Sequence, residues 1–273
     1  MRDPCPLCGC ETVRHLKLPH TLVRKCRADD CGLEFASPQL DEHCLAEAYR
    51  TLLYPATNDN CPAICVGTPD SVLRQVLPQL KARLGALKGL RLLDYGCGPG
   101  TLLQIASELG LPAVGIEPDP VARSISSAKV GIPVYANLQE LRLQEPQTKF
   151  DLVILWNVVE HLRMPWLELQ EICQHLRPDG WLLVSTMNTR CLRARIERGS
   201  WVIYKHPTHL YYFDRRSAER VLRCGGFRRV HEWKPKIHYA HHGPLRRWLY
   251  ELSSLFGVSD GLYYLCSTVA EGM

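Results

Sequence analysis

No apolar run in this chain approaches the roughly 18 residues of a membrane-spanning helix, so such a span is not expected. The opening stretch, Met1-Arg2-Asp3-Pro4-Cys5, lacks the apolar core of a secretory signal, and the expected location is the cytoplasm. Internal repeats and low-complexity tracts are absent, which excludes solenoids and long disordered segments. Without a secretory signal, a disulfide framework is not expected either, although the chain holds 13 cysteines. Clustered cysteines in a reducing compartment point to metal instead. What remains is 273 residues, enough for one large α/β domain and a small appendage.

Charge of one sign is not in great excess: the net value is +5. Most of that excess lies between Arg190 and Arg247, where carboxylates are few. Such a stretch is either a solvated face or an attractor of anions. The anions it would suit are a phosphorylated metabolite, a nucleotide sugar, an acyl carrier or RNA.

The first forty residues differ from the rest. Cys5-Pro6-Leu7-Cys8-Gly9 places two thiolates at C-x2-C spacing, followed by a glycine that permits a tight turn. Cys26 and Cys31 form a second knuckle with the wider C-x4-C spacing. Glu11–Leu18 and Thr21–Lys25, joined by a turn near Pro19-His20, suit a hairpin between the knuckles. Four thiolates, from Cys5, Cys8, Cys26 and Cys31, suit tetrahedral Zn2+ and close its coordination sphere, so a structural zinc is expected. So small a unit has little core, and the metal would supply much of its stability. The pattern resembles a zinc ribbon, with the wide second knuckle as its departure and Cys10 as a competing ligand. The expected division is a ribbon over 1–40, a helical connector over 41–70 and a main domain over 71–273. Within the connector, Asp41–Leu53 reads as a helix, with Pro55 and Pro62 beyond it, and Cys61 and Cys65 read as ordinary thiols. Ser71–Leu84 is an amphipathic helix.

From Arg91 onward, apolar strands alternate with helices. Strands are expected at Arg91–Tyr95, Ala113–Glu117, Val134–Tyr135, Phe150–Leu155 and Trp181–Thr186. This alternation implies a parallel sheet with helices on both faces. A strand at Phe227–Lys234 and a last strand at Leu262–Val269 would close one edge, with a helix at Leu245–Phe256 between them. Ligands of such sheets sit beyond the carboxyl ends of the strands. Gly96, Glu117, Asn157 and Met187-Asn188 all follow strand ends and should share one crevice.

The glycine turn Asp94-Tyr95-Gly96-Cys97-Gly98-Pro99-Gly100 leads into a helix, and Glu117 closes the next strand about twenty residues later. That arrangement holds a ribose-bearing cofactor. A dinucleotide turn is spaced G-x-G-x-x-G, whereas here Pro99 separates two glycines at every-second-residue spacing. The pattern resembles the class I methyltransferases that use S-adenosylmethionine. Five ordered blocks carry the resemblance: Asp94–Gly100; Glu117; Phe150-Asp151-Leu152-Val153 with Glu160-His161-Leu162; Leu176-Arg177-Pro178-Asp179-Gly180; and Trp201 with His206–Phe213.

The resemblance implies a doubly wound, mostly parallel, seven-stranded Rossmann-like sheet. It also implies that Gly96, Cys97, Gly98 and Gly100 pass beneath the methionine and ribose. Asp94 would orient that loop, Glu117 would hold the ribose hydroxyls, and Pro118 would lie near the adenine. The acid that often meets the adenine amine is missing from the third-strand loop, where Asn137 or backbone groups would serve. Trp156 and Asn157 would line the sulfonium end.

Methyl transfer is an in-line displacement with a neutral leaving group, so alignment is the main task. A base is needed only where the acceptor must lose a proton. His161 and His209 are the candidates, because imidazole titrates near neutrality. His206, His209 and Tyr211 would contact substrate, and Trp201 would cover the pocket. His238, His241 and His242 read as solvated. The expected acceptor is a small molecule, with an anionic one among the classes that fit. The alternatives are an RNA methyltransferase gripping phosphates through the ribbon and the basic region, and a cofactor-binding protein without activity. Oligomeric state is not legible.

Overall fold

Two knuckles and a short hairpin build the N-terminal sheet. In the computed structural model, which describes residues 3–53, 70–84, 89–237 and 259–268, β1 (Thr12–Lys17) pairs with β2 (Leu22–Cys26), and β2 with β3 (Glu34–Ser37), all antiparallel. Helix α1 (Glu42–Ala48) follows, started by the Asp41 side chain accepting from the Cys44 N–H at 2.8 Å. A wider π-type turn, Tyr49–Leu53, continues it.

The main sheet is built from continuous apolar runs, as expected of strands covered on both faces. Its members include β4 (Leu92–Tyr95), β5 (Ala113–Ile116), β6 (Val134–Tyr135), β7 (Phe150–Trp156) and β8 (Leu176–Met187), all parallel to one another. After β9 (Tyr211–Tyr212), which belongs elsewhere, come β10 (Arg229–Glu232) and β11 (Gly261–Ser267). β11 inserts antiparallel between β8 and β10, giving the order β10-β11-β8-β7-β4-β5-β6. Strand β8 begins at Leu176 rather than Trp181. Residues 177–180 loop out of the ladder, because Leu176 pairs with Phe150 and Trp181 with Leu152.

Alternate residues of each strand serve opposite layers. Leu92, Ile154 and Leu183 pack beneath α2 (Asp70–Leu84) and α3 (Thr101–Glu108). Leu93, Val153 and Leu182 pack with α6 (Pro165–His175) and α9 (Arg215–Cys224). Helix α4 (Pro120–Val130) is capped by Asp119, which accepts from Val121 and Ala122 N–H at 2.9 Å. Between these lie α5 (Leu138–Gln144), α7 (Leu192–Glu197) and α8 (Val202–Lys205).

The two sheets are joined. β9, deep in the main chain's sequence, pairs antiparallel with β3 and becomes the fourth strand of the N-terminal sheet. Buried Cys5, Cys31, Leu33 and Phe35 consequently share one apolar core with Trp166, Leu210 and Tyr211. Among the described residues, no helix is long and apolar enough to cross a membrane. The expected helix at Leu245–Phe256, the three histidines from His238 to His242, and Cys61 and Cys65 lie outside the described residues.

Candidate active site

The chain leaves β4 outward to β5 and β6, then returns on the other side of β4 to form β7. The crevice at such a reversal is where open α/β sheets bind ligands. Two loops meet there: the glycine turn after β4 and the Asn157–Leu162 turn after β7.

Gly96, Gly98 and Gly100 all have positive φ, at 77°, 52° and 79°. A Cβ on Gly96 would stand 2.5 Å from Cγ2 of Val158, so the two loops touch at that point. Glu117, nearly buried, turns back onto the glycine loop: its Oε2 accepts from the Gly98 N–H at 2.8 Å, and Oε1 from the Asp119 N–H at 2.9 Å. Burial raises its pKa. Asp94 is buried at the end of β4, and its Oδ2 has no hydrogen-bond partner. Burial, and then the Glu117 carboxylate, push Asp94 up to about 8. A buried, unpartnered carboxyl oxygen beside a backbone cradle fits a ligand that brings an ammonium group and ribose hydroxyls, as S-adenosylmethionine does.

Across the crevice, the short 3-10 turn Val159–His161 presents a second cluster. Glu160 is buried and accepts from the Thr186 hydroxyl at 3.1 Å. Burial pushes it up to about 7. The ring of His161 lies 4.7 Å from that of His209 and 6.0 Å from that of His206, which stacks on His209 at 4.6 Å. His209 Nδ1 is 2.7 Å from the carbonyl oxygen of Ile203. Burial, and then neighbouring imidazoles, lower His161 to about 3 and also lower His209. These rings were expected to titrate near neutrality. Burial first, and the other imidazoles second, keep them neutral, and the group moved to neutrality is the carboxyl of Glu160. Tyr49, from the turn after α1, packs its ring 5.7 Å from His161. Nothing in its local sequence marks Tyr49 as a site residue.

The four expected cysteines converge. Cys5 and Cys31 sulfurs are 3.8 Å apart, and Cys8 and Cys26 sulfurs 3.5 Å. All four lie within 4.8 Å of one another. Tetrahedral zinc with Zn–S bonds near 2.3 Å requires sulfur separations of about 3.8 Å, so the cluster is consistent with a zinc site. Hydrogen bonding from Cys31 draws Cys5 down to about 5, while burial raises Cys26 to about 11. Cys31 rises too, chiefly through its hydrogen bond to Cys5. Cys10 is exposed and outside the group; its carbonyl accepts from the Cys5 N–H at 2.9 Å.

A family model for the methyltransferase domain matches residues 70–232. The chain belongs to the S-adenosylmethionine-dependent methyltransferases. A ubiquinone biosynthesis O-methyltransferase of Rhodopseudomonas palustris (strain HaA2) is 33% identical over 110 residues, or 38% of this chain and 43% of that one. The corresponding protein of Bradyrhizobium sp. (strain ORS 278) is 34% identical over a segment with the same coverage. The match thus spans less than half the length of these relatives. The solved 1,6-didemethyltoxoflavin-N1-methyltransferase of Burkholderia thailandensis superposes with a TM-score of 0.56 at 16% identity, covering 93% of this chain and 97% of that chain. A methyltransferase from Archaeoglobus fulgidus gives 0.50 at 19% identity, covering 71% and 93%. At these identities the likeness establishes the fold.

Within the methyltransferase, the remaining expected site residues divide. Cys97 is buried under the glycine turn, its sulfur 3.8 Å from the Ser126 hydroxyl. Pro118 is exposed beside Glu117. Asn157 has a positive φ of 53° and binds Ser185 through its backbone N–H and its side chain. Trp156 packs against Tyr263 with ring centroids 5.5 Å apart. Asn137 caps α5, its Oδ1 accepting from the Glu140 N–H at 2.8 Å, so that oxygen is committed to the helix.

Two residues expected at the pocket are buried in packing. Trp201 is fully buried among Leu18, Val23, Ala36 and Tyr212, wedged between the N-terminal sheet and the main body rather than covering a pocket. Tyr211 is also buried, and its hydroxyl donates to the carbonyl of Arg163 at 2.7 Å.

Proposed function

We propose that this methyltransferase acts on a small organic acceptor whose O–H or N–H loses its proton during transfer. The observation that carries the reading is the buried Glu160 carboxyl, brought to about 7 beside two neutral imidazoles at the sheet's reversal point. The names of the partial relatives, which act in ubiquinone biosynthesis, support a small acceptor. Several arginines of the basic region already face carboxylates or carbonyls of this chain, which supports the small-acceptor reading over a phosphate-gripping surface. Arg190 pairs with Asp214 at 3.0 Å and Arg215 with Glu232 at 2.8 Å. Arg220 pairs with Asp30, and Arg216 donates to the carbonyl of Asp29.

S-adenosylmethionine, when bound, supplies an electrophilic methyl group on a sulfonium. Asp94 would hold the ammonium with its unpartnered oxygen. Glu117 would exchange the Gly98 N–H for ribose hydroxyls, and Gly96 and Gly98 would let the backbone lie against the ligand. His161 would receive the acceptor's proton as the new bond forms, the neighbouring Glu160 carboxylate would stabilise the imidazolium, and Tyr49 would limit access of water. The four cysteines would hold one structural zinc and take no part in transfer, since their coordination sphere closes. The ribbon, connector and main domain would be bounded as expected, at 1–40, 41–70 and 71–273.

Incubating the full chain with S-adenosylmethionine and a panel of phenols, catechols and heteroaromatic amines should yield S-adenosylhomocysteine with at least one compound. Methylation of total RNA, with none of any small molecule, would sink the proposal.

A further inference from the structure

Thr208 is fully buried, and its hydroxyl sits between two imidazoles. Its Oγ1 is 2.7 Å from Nδ1 of His206 and 3.1 Å from Nδ1 of His161. Nδ1 of His161 is also 3.0 Å from the Thr208 carbonyl oxygen. A hydroxyl carries one proton and two lone pairs, so it can accept from one ring nitrogen while donating to the other. His161 sits in the crevice. His206 is half-buried, and its electrostatic neighbour His20 stands on the exposed turn between β1 and β2. The three groups therefore run from the reacting centre toward the protein surface.

We propose that Thr208 and His206 are relay residues that carry the acceptor's proton from His161 to solvent beside the ribbon hairpin. The inference rests on the reading that the acceptor loses a proton in this crevice. As the methyl–acceptor bond forms and the sulfur–methyl bond breaks, its electron pair stays on a neutral thioether. The acceptor's X–H bond breaks, and its proton passes to Nε2 of His161. Nδ1–H of His161 then gives its proton to Thr208 Oγ1, whose own proton passes to Nδ1 of His206. His206 releases its Nε2 proton to water. After the product leaves, water takes the Nε2 proton of His161 and the same chain returns one to Nδ1. One proton leaves per turnover.

The surroundings favour passage over storage. His161 faces His206 and His209 from the segment after α8, Tyr49 from the connector turn, and Glu160 from its own turn. Burial there keeps the imidazolium of His161 from persisting, so an arriving proton must move on. His206 is lowered less severely and faces His20, His161 and His209.

The relay can be read without knowing the acceptor. In the full chain labelled with 15N-histidine and loaded with S-adenosylhomocysteine, NMR measures exchange of the His161 Nδ1–H with water. Thr208→Val and His206→Phe should each slow that exchange at least about tenfold, while Thr208→Ser keeps it within about threefold of the parent. Exchange at the parent rate in either blocked variant would overturn the relay, and His206→Phe keeps the test alive if Thr208→Val fails to fold. Failure of the small-acceptor reading would show separately, as an absence of small-molecule methylation with the relay intact.

Discussion

The backbone N–H of Leu210 donates to the carbonyl oxygen of Glu160 at 2.9 Å. On its other side, the Leu210 carbonyl accepts from the Ala36 N–H at 2.9 Å. One residue thus links β3 of the cysteine-bearing sheet to the turn that carries the buried Glu160.

A zinc held by the four cysteines would therefore act on the chemistry without touching it. Elemental analysis should find about one zinc per chain. Cys31→Ser should release it and lower Tm by about 10 °C, since loss of a structural zinc removes folding free energy outright. Because Asp94 stands on β4 and Glu117 directly follows β5, away from that link, S-adenosylhomocysteine affinity should fall less than methyl transfer does. Full transfer by a zinc-free protein would contradict this.

Cofactor binding should depend on pH through Asp94. Its carboxyl is raised to about 8 in the fold, so its contribution to stability is complete below about pH 4 and declines as pH rises through 8. A ligand ammonium prefers the ionised form. Calorimetry should therefore show S-adenosylhomocysteine binding that tightens from pH 6 to 8, by up to about tenfold per pH unit, and then levels. Asp94→Asn should flatten the slope.

Glu117→Ala should weaken S-adenosylhomocysteine by about 2 kcal/mol, or roughly thirtyfold, the value of hydrogen bonds to a charged acceptor. Unchanged affinity by titration calorimetry would remove Glu117 from the ribose site.

Glu160→Gln should lower kcat by about a hundredfold or more and abolish any rise in kcat centred near pH 7. His209→Gln should leave that limb in place, because burial keeps His209 neutral across the range. A limb that vanished with His209 but survived Glu160→Gln would reverse the assignment.

Gly96→Ala should be costly twice over. Its φ of 77° strains any L side chain, and the added methyl meets Val158 at 2.5 Å. The expected loss is about 2 kcal/mol or more, read as a lowered denaturation midpoint. Adding Val158→Ala should recover the steric part while leaving the backbone strain.

The glycine turn, Glu117 and the parallel strands were legible because local residues specify them: unbroken apolar runs, glycines where φ turns positive, and Asp119-Pro120 opening a helix. The cysteine cluster was legible from spacing. Distant pairings were not. Nothing in the two residues Tyr211-Tyr212 announces a strand that completes another sheet, so the packing of Trp201 and Tyr211 against the N-terminal sheet was hidden. Proton affinity was equally hidden. Glu160 and His161 are adjacent in sequence, but burial moves a carboxyl up and an imidazole down, and burial is a property of the finished fold.

The pairing of Phe35 with Tyr211 also sets a timetable. On the ribosome, the cysteine-bearing strands emerge first, yet the edge of β3 must wait for about 175 further residues before its partner exists, roughly ten to thirty seconds at ordinary elongation rates. Throughout that interval the nascent chain presents four thiols and an open strand edge. Early metal capture would shield the sulfurs and fix the fold of the hairpin, so zinc supply during translation, rather than after release, should govern the yield of folded enzyme.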